Sequence, residues 1–540
     1  MAARLALPPS QVKASTRASD DASCHHPQGF VRYPRAGLAA CRAENGPAAN
    51  RLLIRAELGI LQPRNIHAPG ADESMSQYTP EEQKLLGPSY RALFLFSMFL
   101  VCCFNFADRA VFAVLAQTIK VDLKLTDFDL GMLQGLAFAA LYAGLGIPFG
   151  RLAEHFNRLK IIVAVTAIWS AATALCGVAQ NYFQLMFARF GVGTGEAGFL
   201  PTASSLVADH FPAKRRATAM SIIMLGTPAG TFLGSLVAGS VAQEYSWRHA
   251  FYALGIPGII AAGLVYFVLR EPPRGLVDNV PRVPTPVPDL GAFVRVVVER
   301  RALRYIVIGG AFAGFTMTSM STFLNVFLQR TYHLQVRESG ALYGTISGLS
   351  IAIGLIIGAL SSDWLAQRDR RWSAWIAMTG LFFAPIIYYF AFRIDSLATA
   401  SVVLTASAAV LLLFYGPTLG MVQNLLEPKM RASGIAVFST FYTLVGAGFG
   451  PPIVGALSDH FAQRAFGEAI FKTTCPGGVA PKGSAQALID ACANASAIGI
   501  REALTAAVCT AFIACLCYFL ASRTLRDDLY VGVPSAVPAK

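Results

Sequence analysis

Four charged residues stand in apolar sequence where their types and spacing could do chemistry. Arg189 and Glu196 bracket the glycine-rich run Arg189-Phe-Gly-Val-Gly-Thr-Gly-Glu196, and Asp108-Arg109 interrupt an apolar stretch that begins near Arg91. Arg189 and Glu196 are two helical turns apart, about 10 Å of rise, so both point from one helix face. The glycines between them let another helix come close. A charge at the centre of a bilayer costs about 3 kcal/mol on insertion scales, so such residues mark a site facing the protein interior. Asp108 and Arg109 are about 100 degrees apart around a helix, so each looks toward a different partner. The expected pairing sets Arg109 against Glu196, and Asp108 against a central cavity or Arg189. A guanidinium holds phosphate through two hydrogen bonds, which suits Arg189 first and Arg109 second to an anionic head group. A carboxylate can bind or release a proton when a neighbouring arginine moves. All eight histidines lie in the N-terminal tail or near the ends of apolar stretches, so a proton carrier at depth must be a carboxylate, Glu196 or Asp108. The alternative use of the four charges is a static ion-pair network that fixes helix packing.

The elements that must position these charges are membrane spans. The 540-residue chain is 54% hydrophobic and 14% charged, with a mean hydropathy of +0.51, as an integral membrane protein requires. The net charge of +13 could suggest nucleic acid, but the basic residues cluster in short connections between apolar runs, which reads as topology. Twelve spans are expected, at 93–119, 129–149, 160–179, 182–208, 216–240, 248–269, 303–328, 340–362, 373–392, 397–421, 433–457 and 499–521. Lys and Arg follow spans 2, 4, 8 and 10, while the connection after span 3 has none, so both termini are expected in the cytoplasm. Residues 1–88 lack a span and any sustained periodicity and are expected to be disordered, with Met75 as an alternative natural start. Proline-rich residues 272–301 divide six spans (89–271) from six more (302–522), followed by a tail at 523–540.

The halves echo each other. Gly150-Arg-Leu-Ala-Glu154-His-Phe-Asn-Arg158 follows span 2, and Gly358-Ala-Leu-Ser-Ser-Asp363-Trp-Leu-Ala-Gln-Arg368 ends span 8. An acid at a helix end beside an arginine can bridge to the opposing half and break when the halves tilt, so Gly150, Glu154, Arg158, Asp363 and Arg368 form an expected conformational latch. Two six-span repeats are the mark of a secondary transporter that rocks one half against the other. In the later half, Thr316 and Asn325 on a polar face of span 7, with Tyr415 at a break in span 10, are the substrate-lining candidates. Cys475 and Cys492 flank a polar loop and form a disulfide if that loop faces an oxidising compartment; spacing alone does not show pairing. No Walker motif, catalytic triad or zinc spacing occurs, so no enzyme activity, cofactor or metal is expected.

The Gly-x-x-x-acid-x-x-x-Arg loops resemble those of the major facilitator superfamily over about residues 90–522, with Glu154 for the usual Asp and Asn157 where Gly is common. Within it, Asn105-Phe-Ala-Asp108-Arg109, Gly191-Val-Gly-Thr-Gly-Glu196-Ala and Arg270-Glu-Pro-Pro-Arg-Gly275 together resemble the spinster-like branch. The resemblance implies an all-α twelve-helix fold and proton-linked movement of lysophospholipids or phosphorylated sphingoid bases. Anion symporters of the hexuronate type share the span-4 pattern with its Phe211-Pro and Lys214-Arg-Arg continuation, which makes a proton/organic-anion symporter the second reading. A non-transporting receptor on the same scaffold is the third. The expected partners are a small-molecule or lipid substrate, protons and the bilayer of a plasma or bacterial inner membrane, with no nucleic acid and a monomeric chain.

Overall fold

The structure is a computed structural model, and it describes residues 25–26, 29–30, 79–277, 290–426, 431–467 and 471–529. Residues 1–78 are a unit of their own, in which His25–His26 pairs antiparallel with Gly29–Phe30. The rest of that expected disordered tail, including Met75, lies outside the described residues, but Pro80–Leu86 is already helical.

From Thr79 onward the described residues are all helical or connecting. Eleven helical stretches among them are long and apolar enough to cross a membrane. The remaining crossing, span 4, is split into Tyr182–Glu196 and Phe199–His210, each too short to qualify alone. Several spans are broken in this way. Span 2 comprises Asp127–Gln134 and Leu136–His155 with Gly135 between them, span 5 comprises Ala213–Met224 and Gly226–Glu244, and span 10 comprises Leu397–Leu412 and Tyr415–Asn424. Span 11 runs through Arg431–Phe441, a π-helical turn at Tyr442–Gly448, and Phe449–Phe466. The unbroken spans are 1 (Pro88–Leu123), 3 (Arg158–Cys176), 6 (Trp247–Val268), 7 (Arg301–Tyr332), 8 (Val336–Ala366), 9 (Trp372–Ala391) and 12 (Gln486–Asp528).

These helices outrun the apolar windows of the sequence. Span 12 has 43 residues, about 65 Å at 1.5 Å per residue, twice a hydrocarbon core. Its extra turns project beyond the bilayer and carry Cys492, which is joined to Cys475 by a disulfide. The opposite face holds the start of span 1 and the end of span 12; these are called below the disulfide face and the terminal face. At the terminal face the linker helix Leu290–Glu299 leads into Arg300, whose guanidinium donates to the Asp528 carbonyl at 2.9 Å.

Two close approaches explain particular glycines. A Cβ on Gly455 of span 11 would lie 2.1 Å from the Asp127 carbonyl of span 2, so the two halves meet backbone to backbone at the disulfide face. Within the first half, a Cβ on Gly193 would lie 2.5 Å from the Phe138 carbonyl. That contact brings span 4 and its two charges against span 2. Gly193→Ala is therefore expected to destabilise the fold by about 1–3 kcal/mol, the usual cost of overpacking. Gly144→Ala, where a Cβ meets nothing within 4 Å, is the control. Thermal unfolding of the two variants in detergent checks the difference.

Candidate functional site

The midplane charges are brought together, but not all as the spacing suggests. Arg109 Nε donates to Glu196 Oε2 at 2.6 Å, and the arginine side chain is 31% exposed while the glutamate is fully covered. The Arg109 guanidinium is boxed by the rings of Phe138 at 4.8 Å, Phe106 at 5.1 Å and Tyr142 at 5.1 Å. Tyr415 and Tyr442 of the second half lie within electrostatic reach of it, with their own rings 5.9 Å apart. Tyr442 begins the π-helical turn, a device that re-aims side chains and often marks functional sites. It went unnoticed in the sequence, where nothing in a run of apolar and glycine residues signals an extra backbone residue per turn.

Arg189, the expected head-group base, is engaged within the first half in this conformation. It is 1% exposed, its Nη2 donates to Gln134 Oε1 at 3.1 Å, and its Nε reaches the Leu133 carbonyl at 3.4 Å. Those groups sit at the break of span 2, where helix carbonyls lack an intrahelical donor, and the guanidinium lies over Phe112 at 4.8 Å. Arg189 thus holds the break and is covered, and the more exposed base of the two is Arg109. Asp108 is equally buried, and Arg189 makes no hydrogen bond to it. Of the second-half candidates, Tyr415 is half-buried and packs on Tyr442, whereas Thr316 bonds Thr510 at 2.8 Å and serves packing of spans 7 and 12. Asn325 donates to the Val114 carbonyl at 2.7 Å and ties span 7 to span 1 across the halves.

The disulfide face is closed by a buried network that the sequence reading missed. Asp127, at the start of span 2, accepts from Arg330 Nη1 at 2.8 Å and Nη2 at 2.6 Å, from Lys120 at 2.7 Å and from Ser458 at 2.7 Å. Arg330 also donates through Nε to Gln117 at 2.9 Å. Asp459 accepts from the backbone N–H groups of Asp127 and Phe128 at 3.1 and 3.0 Å, so an acid of the second half caps a helix of the first. Two acids and two bases balance. Local signals existed in the capping box Thr126-Asp-Phe-Asp129 and in Ser458-Asp459 at a span end, but not their juxtaposition.

At the terminal face two sets of ion pairs each lie within one half. Arg158 is buried and binds Glu271 at 2.6 Å and Asp209, with its Nη2 on the Pro272 carbonyl at 2.9 Å. Asp209 also accepts from Gly275 N at 3.0 Å, and Arg274 donates to the carbonyls of Ala153 and Phe156. The Arg270-Glu-Pro-Pro-Arg-Gly275 stretch is therefore a clasp folded under spans 2, 3 and 4, and Gly275 adopts φ of 74°, where a side chain would be strained. Among the described residues the expected latch pairs are not formed in this conformation. Glu154 is exposed, Gly150 has open space around it, Asp363 is exposed and Arg368 lies over Trp364 at 4.9 Å. The pair formed in the second half is Asp369 with Arg526 at 2.6 Å, and the Arg371 backbone N–H with the Arg526 charge keeps the Asp369 carboxyl below its ordinary range.

Two six-span halves, sealed at one face over a charged midplane, define a membrane transporter. The family model for the Major Facilitator Superfamily matches residues 98–451, and the chain belongs to that family. An MFS-type efflux pump of Mycolicibacterium smegmatis is 30% identical over 430 residues, covering 80% of this chain and 92% of that protein. The sphingosine-1-phosphate transporter SPNS2 of Xenopus tropicalis is 24% identical over 375 residues, covering 66% and 72%. The crystal structure of a bacterial homolog to human lysosomal transporter Spinster, inward-facing and unoccupied, superposes with a TM-score of 0.76 at 29% identity. That match covers 83% of this chain and all of the other. The protein is a spinster-type transporter, not an enzyme.

The Asp127 network predicts a stability effect. Asp127→Asn removes the common partner of Arg330 and Lys120, and breaking a buried pair from one side costs about 3–5 kcal/mol. A lower melting temperature is expected. So is faster reaction of a membrane-impermeant maleimide with a cysteine placed at Ser458, as the disulfide face opens.

Proposed function

We propose that the chain is a proton-coupled secondary transporter of an anionic or zwitterionic amphiphile of the lysophospholipid or sphingoid-phosphate class, working by alternating access. The observation that carries this reading is Arg109: paired with Glu196 at 2.6 Å, yet with its side chain 31% exposed and with Tyr415 and Tyr442 of the second half in electrostatic reach. A phosphate reaching the exposed face of Arg109 competes with Glu196 for the guanidinium, and protonation of Glu196 releases Arg109 to it. Ground state and loaded state then differ by one proton and one ion pair, which is the coupling an exchange cycle needs. The rings of Phe138, Tyr142, Tyr415 and Tyr442 around the base offer an apolar wall for a chain attached to the head group. Arg189 acts through the break of span 2, as a positioning residue. The basic connections after spans 2, 4, 8 and 10 favour a cytoplasmic terminal face, in a plasma or bacterial inner membrane, and the chain works as a monomer.

The test is purified protein in liposomes with an imposed pH gradient, offered lysophospholipids, sphingoid phosphates and hexuronates in turn. Uptake of the lipids but not of hexuronates is expected, and Glu196→Gln should remove the pH dependence while flux persists. Arg109→Lys, which loses the two-pronged grip on phosphate, should weaken apparent affinity about tenfold, equivalent to about 1.4 kcal/mol. Undiminished pH dependence in Glu196→Gln and in Asp108→Asn would overturn proton coupling through this cluster. Absence of any flux would favour a receptor built on the same scaffold.

A further inference from the structure

Lys120, the first-half base of the Asp127 network, is covered at the disulfide face by a piece of the second half. The chain between spans 11 and 12 forms a short helix, Phe471–Thr474, and a tight turn, Pro476–Gly478, that lies against the end of span 1. A Cβ on Gly477 would stand 3.3 Å from the Lys120 carbonyl and 3.6 Å from Val121 Cα, and one on Gly478 would stand 3.3 Å from Lys120 Nζ. Both glycines have positive φ, 71° and 80°, so the backbone of the turn itself calls for residues without side chains. The turn is tied to span 12 by the Cys475–Cys492 disulfide and by Ser496 Oγ, which donates to the Gly478 carbonyl at 2.8 Å. Cys475 and Cys492 are buried in a small core with Ala462, Phe471 and Ala495, all residues of the second half.

Cover decides what an ion pair contributes. The Lys120–Asp127 pair, at 2.7 Å, has side chains 4% and 1% exposed, whereas Arg337–Glu244 on the same face, at 3.4 Å, is 60% exposed on both sides. Water competes for and screens an exposed pair, which then holds little. A covered pair keeps its attraction, and parting it strands a charge away from water. Because the turn belongs to the second half, it leaves Lys120 when the halves separate, and water reaches the pair in the same movement.

We propose that the disulfide-tied turn Pro476–Gly478 is a lid on the Lys120–Asp127 pair, keeping water off the ammonium and so setting how firmly the disulfide face is sealed. The disulfide anchors the lid: it fixes the turn to span 12 where otherwise the Ser496 hydrogen bond and the small core would have to hold it. Cys475 and Cys492 are thereby positioning residues, acting through Gly478 on a salt bridge of other residues. The lid acts on the seal whatever the cargo.

The experiment is hydrogen–deuterium exchange of the full-length protein in detergent at fixed pH, read by mass spectrometry on peptides covering residues 120–131. These peptides hold the amides of Asp127 and Phe128, which donate to Asp459 across the halves. Cys475→Ser together with Cys492→Ser should speed their exchange about tenfold by easing local opening, and leave the clasp at 270–275 unchanged. Ser496→Ala should act in the same direction. With Lys120→Met in place the paired serine substitutions should add nothing, because no ammonium is left to cover; a disulfide that served the fold alone would act equally in both backgrounds. Unchanged exchange at 120–131 in the serine variant, or equal acceleration with and without Lys120, overturns the lid. Should the serine variant fail to fold, unchanged exchange in Ser496→Ala overturns it instead.

Discussion

An ionised group inside a bilayer must be met by an opposite charge or by donors, because neither lipid nor a dry interior replaces its hydration. Asp127 is where the structure depends most on this rule. Its two oxygens receive Arg330 and Ser458 from the second half and Lys120 from the first. Meeting the charge therefore means bringing the halves together at that face. Asp459 extends the arrangement by capping the helix that begins with Asp127, and Gly455 permits the backbone approach that this capping needs. Closure at the disulfide face and neutrality of the buried charges are the same event.

At the midplane the rule is met less completely. Glu196 has one oxygen on Arg109 and Arg109 remains partly open, so the pair is exchangeable in a way the Asp127 network is not. Arg189 is spent on the interrupted helix of span 2. The helix breaks are thus part of the electrostatics: Gly135 frees backbone that a buried arginine then satisfies, and span 4 breaks immediately after Glu196. At the break of span 2 the freed Leu133 carbonyl is met by Arg189, as irregular backbone at membrane depth requires.

The terminal face shows how a motif can be carried by packing within one half. Glu271, Arg274 and Gly275 fasten the chain after span 6 under the ends of spans 2 to 4 through Arg158 and Asp209. The first six spans are bound into one body there, while the second half closes its own end with Asp369 and Arg526. Each half is internally clasped at this face and joined to its partner at the other.

Much of this was legible in the chain alone. Hydropathy determines a membrane protein, the echoing loops determine two halves, and the rarity of charge in apolar sequence singles out Asp108, Arg109, Arg189 and Glu196. Helical spacing also sends Asp108 and Arg109 toward different partners. Tertiary structure decided which arginine stays accessible, which acid caps which helix, and that Arg158 turns inward to Asp209 and Glu271. It also decided that Asp127 meets Arg330, 203 residues away. The physical reason is that periodicity reports the face a residue occupies on its own helix, whereas a partner's identity depends on how helices are rotated and tilted against each other. Those angles are set by close approaches such as Gly193 on Phe138 and Gly455 on Asp127, which no local pattern contains.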